Sequence, residues 1–109
     1  MDEPGKDTFP RREEDLLGGR EVPEAALHGI HTLRAMENFP LAGRPVHPAF
    51  FEALGMVKLA CARVNRDLGF WRGAPEKAEA ICRACEELAS GALNAWNLTD
   101  ALQGGAGTS

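Results

Sequence analysis

The sequence predicts a mainly α domain in which two antiparallel helices, over residues 48–68 and 75–89, follow a short irregular or hairpin segment before residue 23. Three observations predict it. Apolar residues recur at alternating steps of four and three through the first span. Proline and glycine punctuate both spans at their ends. The chain of 109 residues is 44% hydrophobic and 26% charged, ordinary globular usage that supports one modest core.

Residues 1–10 carry Pro4, Gly5 and Pro10 among charges and read as a flexible lead, leaving 11–109 as the domain. In "EEDLLGGREV" (13–22) a Gly-Gly lies between two short segments, which suits a small hairpin or a tight loop. Pro23 fits the first position of a helix, so "EAALHGIHTLRAMENF" (24–39) reads as one or two short helical pieces broken at Gly29 and stopped before Pro40. "PLAGRPVHP" is a loop.

From Pro48 the pattern is strongest: Phe50, Leu54, Val57, Cys61, Val64 and Leu68 form one continuous apolar seam on a helix about 30 Å long. Pro48 starts this helix and Gly69 ends it. The second helix places Ala78, Ile81, Cys85 and Leu88 on one face, with Pro75 at its start and Gly91 just past its end. The two seams are expected to pack together, so an aspartate at Leu54 or Val57 would be an unpaired buried charge and would unfold the domain. "ALNAWNLTDALQGGAGTS" loses the periodicity and reads as a loop.

A net charge of −4 with no lysine/arginine stripe argues against nucleic-acid binding, since nothing is placed to replace phosphate counterions. Glu52 and Lys58 interrupt the best apolar run, which excludes a membrane span there. The acidic, proline-broken start does not read as a signal peptide, so a soluble cytoplasmic protein is expected. Cys61, Cys82 and Cys85 are expected to be reduced thiols without metal. "CRAC" has the spacing of a ligand or redox pair, but it falls inside a helical pattern, and His28, His31 and His47 lack zinc-finger spacing. Lys58 and Asn65 share a stripe beside the seam, where they could line a site or be edge residues with the lysine stem lying on apolar surface.

The closing "QGGAGTS" (103–109) combines glycines, whose backbone N–H groups can converge on an oxyanion, with the hydroxyls of Thr108 and Ser109. By composition alone it reads rather as a linker or a loose end. Three blocks in order, "RREEDLLGGREVP" (11–23), "HGIHTLRAMENFP" (28–40) and "QGGAGTS", with "MVKLACARVN" between them, resemble the N-terminus of the aspartase/fumarase superfamily from Arg11 onward. "LLGGREVP", "GIHTLRA" and "QGGAGTS" look more like aspartate ammonia-lyase than class II fumarate hydratase, whose matching end reads closer to "GSGTS"; "AALHG" and Gly19 depart from the aspartase pattern.

The resemblance implies that Gly107, Thr108 and Ser109 hold a carboxylate of a dicarboxylate substrate, aspartate or fumarate, with no organic cofactor. It also implies that family members continue with "NMN", a central helical bundle forming a homotetramer, the serine that removes the C3 proton, and the lysine and asparagine that stabilise the aci-carboxylate. On this reading no catalytic residue lies in these 109 residues, and alone they are expected to be inactive. Fumarate hydration and a stand-alone helical interaction module are the alternatives.

Overall fold

The structure, a computed structural model, describes residues 9–103. These fall into two compact units, residues 9–46 with 95–103, and residues 47–94.

The first unit opens with an antiparallel hairpin of β1 (Pro10–Asp15) and β2 (Gly18–Pro23), in which Pro10 faces Pro23 and Asp15 faces Gly18. The hairpin is as expected, but its turn is not the Gly-Gly. Leu16 and Leu17 form the tip, both exposed, because Asp15 Oδ1 accepts the Leu17 N–H at 2.9 Å and Gly18 already belongs to β2. The flexible lead expected for residues 1–10 is corrected at its end: Pro10 is a strand residue, and the Phe9 carbonyl accepts the Glu24 N–H at 2.8 Å. The rest of that lead, residues 1–8, lies outside the described residues.

Along β1, Arg11, Glu13 and Asp15 alternate with more exposed neighbours, so the half-buried side of this strand is charged. That side organises the chain after the hairpin. No helix forms at Pro23 or in residues 24–29, contrary to the sequence expectation. Pro23 ends β2, and the Arg11 guanidinium takes the carbonyls of Pro23 (2.8 Å), Glu24 (2.9 Å), Ala26 (3.1 Å) and His28 (2.8 Å), the groups a helix would need as its own acceptors. Helix α1 (Ile30–Asn38) therefore begins only after Gly29, and its first N–H, that of Ile30, donates to Glu13 Oε1 at 3.0 Å. Val22, Ala26, Ile30 and Ala35 form this unit's small apolar core.

The second unit is the expected helix pair, α2 (Pro48–Asp67) and α3 (Pro75–Ala89). The His47 side chain accepts the Ala49 N–H at 3.0 Å and so caps α2. Gly69 (φ +82) and Gly91 (φ +85) come after the two helix ends in the left-handed conformation that stops them. The helices run antiparallel: Gly55 lies on Ala89, further along α2 Arg63 reaches Glu86, and before Gly55 Glu52 accepts from Asn94 beyond α3 at 2.8 Å.

On α2 the interface is not the predicted seam. Phe50, Leu54, Val57, Val64 and Leu68 are 41–72% exposed, and Cys61 is exposed as well. The buried residues are Gly55 and Ala62 on α2 with Ala78 and Cys82 on α3, while Ile81, Cys85 and Leu88 are half-buried beside them. The reason is steric. A Cβ on Gly55 would sit 2.5 Å from the Ala89 nitrogen, so the helices meet where side chains are smallest and the bulky seam turns away. Among the described residues no helix is long and apolar enough to cross a membrane.

Candidate functional site

Gly107, Thr108 and Ser109, the predicted substrate residues, lie outside the described residues. The described segment that leads into them is held firmly. Asn97 Nδ2 donates to the Val46 carbonyl at 2.8 Å, and the Ala101 N–H donates to the Arg44 carbonyl at 2.8 Å beside a bridge between Pro45 and Asp100. Asp100 is 7% exposed. Its Oδ1 accepts from the Leu102 N–H (2.8 Å) and the Ala42 N–H (3.0 Å), and its Oδ2 from the Gly43 N–H (2.9 Å). These amides, Leu102 first, hold its carboxyl below the ordinary range, because they bond only to the charged form's acceptors while burial opposes them. Gln103 Nε2 folds back onto the Asp100 carbonyl at 2.6 Å, at the last described position.

A second polar cluster lies between the hairpin and α1, where Glu14, Asp15, Leu16, Leu17, His31 and Arg34 help line an open cleft of about 940 Å³. Arg34 Nε and Nη2 reach the Asp15 oxygens at 2.9 and 3.0 Å, and Nη2 also donates to the Gly18 carbonyl at 3.0 Å. Exposed His31 stands 3.8 Å from Asp15. The Asp15 carboxyl is held below its ordinary value by Arg34 first and then by the Leu17 N–H. Glu13 is lowered by the Ile30 N–H and then by Arg11, while in the bidentate pair at the rim of β2 and α1 Glu37 raises the pKa of Arg20 and Arg20 lowers that of Glu37. In this cluster arginine and carboxylate satisfy each other. The arrangement is suited to fixing backbone, since Arg34 has its charge committed to Asp15.

Lys58 is exposed and Asn65 half-buried, the edge placement, which is one of the two readings their stripe allows. Cys82 is buried, Cys61 exposed and all three thiols are free. Among the described residues no three histidine, cysteine or acidic side chains cluster as metal ligands would. Sequence reasoning missed Arg11 and Asp100. Arg11 had a signal in the charged run "RREED", and Asp100 had one in its turn-forming "TDAL" context, but their long-range bonds run 12–17 and 57–58 residues along the chain.

An N-terminal hairpin, an antiparallel helix pair later in the chain and the three sequence blocks are features of a known enzyme fold. The chain is 49% identical over 102 residues to an aspartate ammonia-lyase of Pseudomonas aeruginosa, covering 91% of this chain and 21% of that protein. It is 46% identical over 99 residues to the class II fumarate hydratase of Mycobacterium tuberculosis, covering 91% and 20%. A solved fumarate lyase:delta crystallin from Brucella melitensis, bound to cobalt, superposes with a TM-score of 0.81 at 46% identity over 92% of this chain and 22% of that one. No family model matches. The chain falls in the aspartase/fumarase superfamily, as its N-terminal part, and spans about a fifth of the length of the curated relatives it matches.

Proposed function

We propose that this chain is the N-terminal part of an aspartate ammonia-lyase, a carbon–nitrogen lyase that converts L-aspartate to fumarate and ammonia, and that Gly107, Thr108 and Ser109 receive a substrate carboxylate. The observation that carries the reading is "QGGAGTS" at the end of a chain that resembles aspartate ammonia-lyases from Pseudomonas and Bacillus along 91–94% of its length. Backbone N–H groups of glycines and two hydroxyls suit an oxyanion, and hydrogen bonds to a charged group contribute about 1.5–3 kcal/mol.

On the family resemblance, the serine that removes the C3 proton and the lysine and asparagine that stabilise the aci-carboxylate are supplied outside these 109 residues, in an assembly we take to be a cytoplasmic homotetramer. No organic cofactor enters this reading. Fumarate hydration is the second reading, favoured by the 46% identity to fumarate hydratases from Mycobacterium and Corynebacterium. In the longer polypeptide, Thr108→Ala should lower kcat/KM for aspartate by about ten- to a hundredfold with assembly intact. Full activity of that variant would return the tail to a linker. Turnover of malate and fumarate without any of aspartate would select the hydratase, and fumarate formation by the 109 residues alone would overturn the need for further polypeptide.

A further inference from the structure

We infer that Asp100 is a positioning residue for the substrate loop, its buried carboxylate tying the start of residues 103–109 to the loop at residues 41–46 through three backbone N–H groups. The inference rests on the proposed role of Gly107, Thr108 and Ser109. The geometry is that of a clamp. One carboxylate joins segments 57 and 58 residues apart and also closes the turn onto Leu102, two residues on. An ionised carboxylate is acceptor-only and offers about four lone-pair sites, so it can take three N–H donors at once.

The contacts around it point the same way. Asn97 to Val46 and Ala101 to Arg44 pin the same two segments from either side of the carboxylate, and Gln103 is drawn back onto the Asp100 carbonyl. The polypeptide therefore leaves a fixed point one residue before Gly104. Gly104 and Gly105 carry no side chains, so what the described residues contribute to placing Thr108 and Ser109 is the fixed departure point at Gln103. Asp100 touches no substrate on this reading. It acts through the loop.

A positioning role separates from a purely structural one by where the loss falls. Asp100→Asn keeps an oxygen for Ala42 and Leu102 but turns an NH₂ group against the Gly43 N–H, whereas Asp100→Ala removes both acceptor oxygens and so all three hydrogen bonds. In the longer polypeptide we expect KM for the dicarboxylate to rise about tenfold in the asparagine variant and further in the alanine variant, with kcat changed less than about threefold. Asn97→Ala, which loosens the same junction without orphaning a buried charge, should raise KM in the same direction even where the Asp100 variants fail to fold. Combined with Thr108→Ala, Asp100→Asn should add little, because both act through one contact.

Lowered thermal stability with unchanged KM in Asp100→Asn and in Asn97→Ala would overturn the inference while leaving the loop's role intact. An unchanged kcat/KM in Thr108→Ala would overturn the loop's role itself, and the inference with it.

Discussion

Replacing Gly55 with alanine opposes two physical effects whose signs differ, and the structure decides between them. In a helix interior, glycine to alanine is favourable by about 1 kcal/mol, because alanine loses less backbone freedom. At this position the new methyl would lie 2.5 Å from the Ala89 nitrogen, 3.0 Å from its Cα and 3.0 Å from the Leu88 carbonyl carbon. Carbon pairs are at rest near 3.5–4.0 Å, so α3 must retreat by about 1 Å. All three obstructing atoms are backbone, so no side chain can swing aside, and Ala62, Ala78 and Cys82 lose contact as the helices separate. Overpacking of this kind costs about 1–3 kcal/mol, toward the upper end here, and leaves a net loss of about 1–2 kcal/mol. For a domain of this size that lowers Tm by about 5–10 °C, read by circular dichroism at 222 nm. Gly73→Ala is the control, since nothing lies within 4 Å of its added methyl. A Gly55→Ala chain that melts at or above the parent temperature would refute the close approach of α2 and α3.

Val57→Asp, expected from sequence to unfold the domain, should instead leave the helicity of the 109-residue chain and its melting nearly unchanged, since Val57 is 61% exposed and surface changes stay within about 0.5 kcal/mol; cooperative loss of helix would contradict the seam's orientation. The carboxyls of Glu13, Asp15, Glu37 and Asp100 all sit below their ordinary values of 3.8–4.5 in the fold. Their contribution is thus fully present above those values and is lost as pH falls through the lower folded ones. Urea midpoints should hold steady from neutrality to about pH 5 and drop below about pH 4, with a shallower drop in Glu13→Ala, whose α1 has lost its N-terminal acceptor. Stability that rises on acidification would remove these carboxylates from the account.

Local chemistry settled a good deal from sequence alone. Both long helices begin at proline and end two residues before a glycine, because missing N–H groups and positive φ act within a turn of the chain. A hairpin was one of the readings left open before residue 23, though Leu16 and Leu17 make its turn and not the Gly-Gly that suggested it, and the ordered blocks from Arg11 to Ser109 carried the superfamily resemblance. What periodicity could not decide was which face of α2 meets α3. A strict four-three stripe states that a face is apolar; it does not state what covers it, and here the small residues Gly55 and Ala62 allow a closer contact than the stripe would. Nor could spacing show that Arg11 would take the carbonyls of residues 23–28 from a helix, or that Asp100 would gather amides from residues 42 and 43. Those bonds join groups far apart along the chain, and only the tertiary structure brings a side chain with several donors or acceptors to the backbone groups that no local partner satisfies.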